Sequence, residues 1–308
     1  MSAPGRDVVL LSGGTGGAKL ALGLAEELGP ERLAVIANTA DDIEIYGALV
    51  SPDPDLVSFW LAGLIDERGW GLRDDTFAVM DALRELGEDV WFNLGDRDLA
   101  WCARRSRLIA EGQSATEALA TLNGAISQPV PVLPMCEEPV RTWVSTPRAG
   151  PRPFQEFMIR GRAEGPLDGL EYRGAELSRP TAAVTETVAA AKTIVIGPSN
   201  PLASIGPILA VPGLADALSA ASAPVIAVSP IVGGEVLKGP TAAFMELAGR
   251  ECSAAGVREH YGELLDGFVT DEELASEIPS LVTETRMDGA DARRRLARAT
   301  VEFAATLG

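Results

Sequence analysis

The stretch Val8–Leu24, VVLLSGGTGGAKLALGL, decides the fold. An apolar run, a cluster of four glycines and an amphipathic segment follow one another, which is the layout of a strand, a tight turn and a helix over 17–28. Such a helix start presents N–H groups and a positive dipole end to an anion. The spelling fits neither common nucleotide loop. A P-loop reads GxxxxGK[ST], but here Lys19 follows Ala18 and precedes Leu20, so no hydroxyl is placed to hold magnesium. A dinucleotide loop reads GxGxxG and closes its second strand with a ribose-binding acid. After Gly14 and Gly16 the third position is Lys19, and the second apolar run ends in Asn38-Thr39. What survives is a diphosphate-sized turn, with Gly13, Gly14, Thr15, Gly16, Gly17 and Lys19 as donor phosphate-binding residues.

Outward from that stretch, apolar runs bounded by turn residues alternate with helix-period segments, which predicts parallel β-α-β units. Strands are expected at 8–12, 33–38, 90–94, 193–197, 224–229 and 267–270, with another near 281–284. Helices are expected at 17–28, 56–66, 76–87, 97–111, 115–126, 182–191, 212–221, 241–251, 254–261 and 290–306. The proline-rich segment from 130 to 180 holds short alternating runs such as VRTWVST and FQEFMIR, and reads as a small antiparallel or irregular piece. The fold class is therefore α/β, a Rossmann-like doubly wound, mostly parallel sheet with a smaller mixed helical and β subdomain. Residues 1–55 and 181–308 form the core domain and 56–180 the inserted one.

The bulk numbers exclude several classes. With 308 residues, 46% hydrophobic and 23% charged, the chain has ample core for one large or two moderate domains. The opening MSAPGRD is followed by too few apolar residues for a signal-peptide core, and no stretch approaches the roughly 18 to 20 needed to span a bilayer. Cys102, Cys136 and Cys252 lie far apart, which argues for a reducing cytoplasm over a disulfide framework. A net charge of −18 repels phosphate polymers and argues against nucleic-acid binding. Of the 26 basic residues only Lys19, Lys192 and Lys238 are lysines. Two of them flank glycine clusters, where a flexible point charge suits a phosphate better than a planar guanidinium.

In such sheets ligands gather beyond the carboxyl ends of the strands. The loop NTADDIEIYG, followed by SPDPD, sets Asp41 and Asp42 side by side and Asp53 and Asp55 close behind. Adjacent carboxylates repel unless a cation or donors neutralise them, and oxygens from two turns suit magnesium with substrate phosphates. Asp42 and Asp55 are the leading metal candidates, Asp41 the lesser one; Asp55 alternatively N-caps helix 56–66. In NLGDRDLA, Asp96 is placed to cap the following helix and Arg97 to serve a ligand. The rigid loop GPSNP offers Ser199, Asn200 and Pro201 to a nucleoside, and SPIVGGEVLKGP offers Gly233 and Lys238 to a diphosphate. His260 reads as a packed or surface residue. Without a Ser-His-Asp set or Cys-His pair, an enzyme here works through metal, positioning and charge.

Taken together, SGGTGGAKL, NTADDIEIYG, SPDPD, DDTFAVM, LGDRDLA, VLPM, GPSNPLASIGPILAVPG and SPIVGGEVLKGP resemble, in order and spacing, the 2-phospho-L-lactate transferase family of coenzyme F-420 biosynthesis. The resemblance covers nearly the whole chain. It implies a Rossmann-like homodimer that passes a phospho-acid group from a guanosine-diphosphate-activated donor to the ribityl hydroxyl of a deazaflavin alcohol, releasing GMP, with Mg2+ as cofactor. By position it implies that Gly13–Gly17 and the 229–240 loop lie near the diphosphate and Ser199 and Asn200 on the nucleoside side. It implies that Asp42 and Asp55 hold the metal or orient the acceptor hydroxyl, as the catalytic pair. The deazaflavin would be bound by Asp55, Asn93 and Asp96. Three departures bear on acceptor and phospho-acid binding: Pro54 and Leu56 replace the usual Leu and Thr, Cys136-Glu137-Glu138 replaces Ser-Asp-Asp, and Asn93 replaces a frequent lysine. The competing readings are a nucleotide-sugar-binding regulator of gluconeogenic growth and cell shape, and a nicotinamide-dependent dehydrogenase.

Overall fold

The central strand β1 (Val8–Ser12) is buried along its whole length, as a run of Val and Leu requires when both faces of a sheet are covered. The computed structural model describes residues 6–237, 239–275 and 277–308. Among them, β1 joins β2 (Leu33–Ala37), β3 (Val132–Pro134), β4 (Thr193–Ile196), β5 (Val225–Val228), β6 (Gly267–Thr270) and β7 (Ser280–Val282) in one parallel sheet. The strand order is β7-β6-β5-β4-β1-β2-β3. This is the doubly wound, Rossmann-like α/β arrangement, and its order reverses between β1 and β4.

Side chains alternate across the sheet, and the alternation divides the core in two. Val8 and Leu10 pack with Leu20, Leu24, Val57 and Leu296 on one face. Val9 and Leu11 pack with Val184, Ile208, Leu214 and Phe244 on the other. Each large side chain so buried contributes about 1.5–3 kcal/mol relative to exposure. On the first face lie α1 (Gly14–Leu28), α2 (Pro52–Leu61) and the closing helix Ala290–Ala304.

Three segments differ from the sequence expectation. Residues 90–94 form no strand, and Val132–Pro134, from the segment expected to be a small antiparallel or irregular piece, pairs in parallel with β2 as the edge of the main sheet. The apolar VWF of 90–92 is half-buried around a loop, where burial comes from packing on helices and not from a ladder. The small antiparallel sheet does form, from Arg141–Thr146 flanked by Ala149–Pro153 and Gly169–Arg173. FQEFMIR, however, is largely the helix Phe154–Ile159. Its Phe157 packs edge-on against Phe244 at 6.2 Å, and that contact joins the small sheet to the core.

Loops after β1 and β4 meet at the reversal. A methyl added to Gly16 would lie 2.1 Å from the Pro198 carbonyl oxygen, and one on Gly17 would lie 2.2 Å from Ser12 Oγ. The glycines therefore permit loop-on-loop packing first. Overpacking costs about 1–3 kcal/mol, so Gly16→Ala is expected to lower the free energy of urea unfolding by that amount; an unchanged midpoint would refute this packing.

Candidate active site

Beyond the carboxyl ends of β1, β2, β4, β5 and β7 opens a cavity of about 960 Å³. Its walls include Gly13, Gly14, Thr15, Gly16 and Lys19 at the start of α1, and Asp41, Asp53 and Asp55 after β2. Phe59, Trp70, Phe77, Trp91 and Phe92 form an aromatic side. A pocket of that size accommodates a ligand of drug size or larger. Gly17 lies behind the loop, outside the wall.

The start of α1 already has a carboxyl group of the protein. Asp53 Oδ1 accepts the Gly14 N–H at 2.7 Å, and Asp53 Oδ2 accepts Asn38 Nδ2 at 2.9 Å. A methyl on Gly13 would meet Asp53 Oδ2 at 2.6 Å, so glycine there admits a protein carboxylate. Ser199 ties the same loop from β4, accepting from Gly13 N at 3.2 Å and donating to Gly13 O at 2.6 Å. Asn200 caps the turn that follows through Leu202 N and Ala203 N, while its amide donates to Thr241 Oγ1 at 3.3 Å. Ser199 and Asn200 line the cavity; Pro201 is buried and does not. In the hairpin after β5, Val232 and Val236 face the cavity, and the Gly233 N–H donates to Asp271 at 2.8 Å. Lys238 lies outside the described residues.

The acidic residues occupy distinct places. Helix α2 begins after Ser51, so Asp55 sits in its first turn and not at its cap. Asp55 accepts Trp101 Nε1 at 2.8 Å and both terminal nitrogens of Arg105, the nearer in a very short contact. Asp42 accepts Ser51 Oγ at 2.7 Å and lines a smaller cavity of about 240 Å³. Asp41 lines both cavities, and its Oδ1 is buried without a hydrogen-bond partner among the described residues.

The GDRD segment is re-sorted. Asp96 opens helix α4 (Asp96–Ala110), but its carboxylate caps α3 (Ala78–Glu85) through Ala78 N, Val79 N and Thr76 Oγ1. Asp75 in return accepts Arg97 N and Asp98 N at the start of α4. Asp96 and the exposed Arg97 are off the cavity wall, Arg97 donating to the Arg73 carbonyl. Asn93 is on the wall and accepts Arg84 Nη2 at 2.7 Å. Sequence reasoning missed Asp98, Trp101 and Arg105. Their signal was an arginine in the buried stripe of α4, beside Trp101, Cys102 and Leu108. His260 is half-buried and is not part of the wall.

A family model described as 2-phospho-L-lactate transferase CofD matches residues 8–302. The chain belongs to the 2-phospho-L-lactate transferase family. It is 40% identical to a 2-phospho-L-lactate transferase of Methanosarcina mazei over 86% of this chain and 87% of that one. It is equally 40% identical to a phosphoenolpyruvate transferase of Kitasatospora aureofaciens, over 86% and 84%. A solved structure of a UPF0052 family protein from Bacillus halodurans shares the fold, with a TM-score of 0.63, 13% identity, and coverage of 97% and 99%. No helix among the described residues is long and apolar enough to cross a membrane.

In this transferase, burial dominates the electrostatics of the acid cluster. Burial raises Asp42 to about 7 and Asp53 to about 6, and raises Asp41 well above the usual range with help from Asp53. Asp55 is raised by burial but pulled back by Arg105, and Asp98 is raised to about 7 by burial and by Asp55. Buried like charges with an unpartnered oxygen fit a hard, oxygen-seeking cation such as magnesium.

These shifts set a sign. The folded protein holds a proton on Asp53 up to about pH 6 and on Asp42 and Asp98 up to about pH 7, which the unfolded chain releases near 3.8, so stability falls as pH rises from about 4 to 7. Acids with lowered values, such as Asp7 and Asp96, have ionised before it. His260, lowered by burial, opposes the trend only below its ordinary 6.5. In EDTA the melting temperature is expected to fall from pH 5 to 7.5, less steeply in Asp98→Asn. A flat or rising profile would contradict the assignment.

Proposed function

We propose that this chain transfers a phospho-acid group from its guanosine-diphosphate-activated form to the ribityl hydroxyl of the deazaflavin alcohol 7,8-didemethyl-8-hydroxy-5-deazariboflavin, releasing GMP. The observation that carries the reading is that a glycine loop with Lys19, a buried aspartate cluster and aromatic side chains line one cavity. The three parts match the diphosphate, a magnesium ion and a flat ring system. The relatives named above, one a 2-phospho-L-lactate and one a phosphoenolpyruvate transferase at equal identity, support the reaction class and leave the acid to be tested directly.

The acceptor oxygen forms a bond to the phosphorus of the phospho-acid as its O–H bond breaks and the proton passes to solvent, and the bond from that phosphorus to the bridging oxygen of GMP breaks, its electron pair leaving with GMP. Magnesium would neutralise the diphosphate and improve GMP as a leaving group. Asp42 and Asp55 are the ligands that the family resemblance carries over, and Asp41, which lines both cavities, lies between the side of Asp42 and the side of Asp53 and Asp55. Lys19 stands at the glycine loop to meet the donor's charge. Asp55, which lines the cavity, meets either that metal or the attacking hydroxyl, and Phe59, Trp91 and Phe92 hold the ring. Asn93 borders the acceptor side. The active form is a homodimer, checked by its mass in solution.

Protein, magnesium and the deazaflavin alcohol are mixed with the 2-phospholactyl, enolpyruvyl-phosphate or 3-phosphoglyceryl donor. A new anionic deazaflavin and stoichiometric GMP are expected from at least one. No product from any, with tight binding of a UDP-sugar, would favour the regulator of the same superfamily.

Asp42→Asn is expected to remove most turnover while keeping the melting temperature within a few degrees. Retained turnover, with its loss in Asp53→Asn, would move the metal to Asp41 and Asp53.

A further inference from the structure

Helix α4 places Asp98, Trp101, Cys102 and Arg105 along one face, at the i, i+3, i+4 and i+7 spacing of successive turns. That face meets Asp55. Trp101 Nε1 and Arg105 Nη2 both donate to Asp55 Oδ1, and Arg105 Nη1 donates to Asp55 Oδ2 at 3.1 Å. The side chains of Asp55 and Arg105 are each 5% exposed, so the pair is shielded from solvent. Arg105 is itself held, because Nη1 also donates to the Leu49 carbonyl at 3.2 Å and the Leu49 N–H donates to Ser106 Oγ at 2.7 Å. Trp101 is wedged edge-on against Phe59, with ring centroids 5.1 Å apart.

We infer that Trp101 and Arg105 are positioning residues that fix the Asp55 carboxylate in one orientation and restrict it to a single further contact with a ligand. A carboxylate offers about four acceptor positions. Three are filled by these donors, so at most one is left for a cation or an acceptor hydroxyl. A two-oxygen grip on a metal by Asp55 is excluded while the clamp holds. Outer-shell donors of this kind set the orientation of a ligating carboxylate, and their loss weakens metal affinity or activity about 10- to 100-fold. Stability alone does not account for the arrangement, since a buried ion pair is often matched by apolar residues of equal volume. The inference rests on the transferase reading for what Asp55 touches.

The test compares wild type, Trp101→Phe, Arg105→Lys, Asp55→Asn and the Asp55→Asn/Trp101→Phe double variant. Phenylalanine keeps the ring against Phe59 and deletes only the indole N–H; lysine keeps the charge and deletes the two-point grip. Binding of Mn2+ in the presence of GDP, read from the spectrum of the free ion, is measured beside kcat and KM. Trp101→Phe and Arg105→Lys are expected to weaken Mn2+ binding or lower kcat about tenfold, with the donor KM within twofold and the melting temperature within a few degrees. In the Asp55→Asn background the Trp101→Phe change should alter Mn2+ binding less than twofold. Mn2+ binding and kcat both within twofold of wild type in Trp101→Phe would overturn the inference while leaving the reaction intact. So would effects of the two changes on Mn2+ binding that simply multiply. Absence of turnover and of Mn2+ binding in wild type would overturn the transferase reading and this inference with it.

Discussion

One hydrogen bond organises the rest of the site, the 2.7 Å contact from the Gly14 N–H to Asp53 Oδ1. It joins the loop after β1 to the turn that starts α2, and it sets a carboxylate of the protein at the positive end of α1. Gly13 has no side chain because Asp53 occupies the space. In a loop that reserves its helix end for a ligand, the glycines exist to admit a phosphate. Here Gly13 admits an aspartate, while Gly16 and Gly17 admit Pro198 and Ser12. A phosphate at this wall would need positive charge from elsewhere, and Lys19 lines the same wall.

The acid cluster is expensive for the fold. Asp41, Asp53 and Asp55 are all buried, and a charge withdrawn from water costs several kcal/mol unless it is paired. Arg105 pairs with Asp55, and Asn38 and Gly14 answer Asp53, but Asp41 keeps an oxygen without a partner among the described residues. Such local violations of good packing chemistry concentrate at functional sites. The two cavities that meet at Asp41 follow from the same geometry: the turn after β2 separates Asp42, facing the small sheet, from Asp53 and Asp55, facing the glycine loop and the aromatic wall.

Helix α4 shows how a scaffold element becomes part of a site. Its register sets apolar Trp101 and Leu108 toward the core and carries Asp98 and Arg105 on the same stripe. The exchange of caps between Asp75 and Asp96 fixes the entry of both α3 and α4. That exchange explains why Asp96, which by position resembles a ligand-binding acid, spends its carboxylate on backbone amides. Asp98, two residues on, reaches the cavity in its place.

Local pattern alone determined the parallel α/β class, β1 with the helix after it, most helices to within a few residues, and the glycine loop and β2 aspartates as neighbours. Apolar period and turn residues are short-range signals, and a strand buried on both faces writes them plainly. The motif order, from SGGTGGAKL to SPIVGGEVLKGP, carried the family. Tertiary structure decided what each polar group faces. It made Val132–Pro134 and not 90–94 the edge strand, because only pairing with β2 distinguishes two short apolar runs. It turned Asp55 toward Arg105, 50 residues away, and Ser199 toward Gly13, 186 residues away. Such partners meet only when distant loops are brought to one sheet edge, and nothing in the spacing of either residue along the chain encodes the contact.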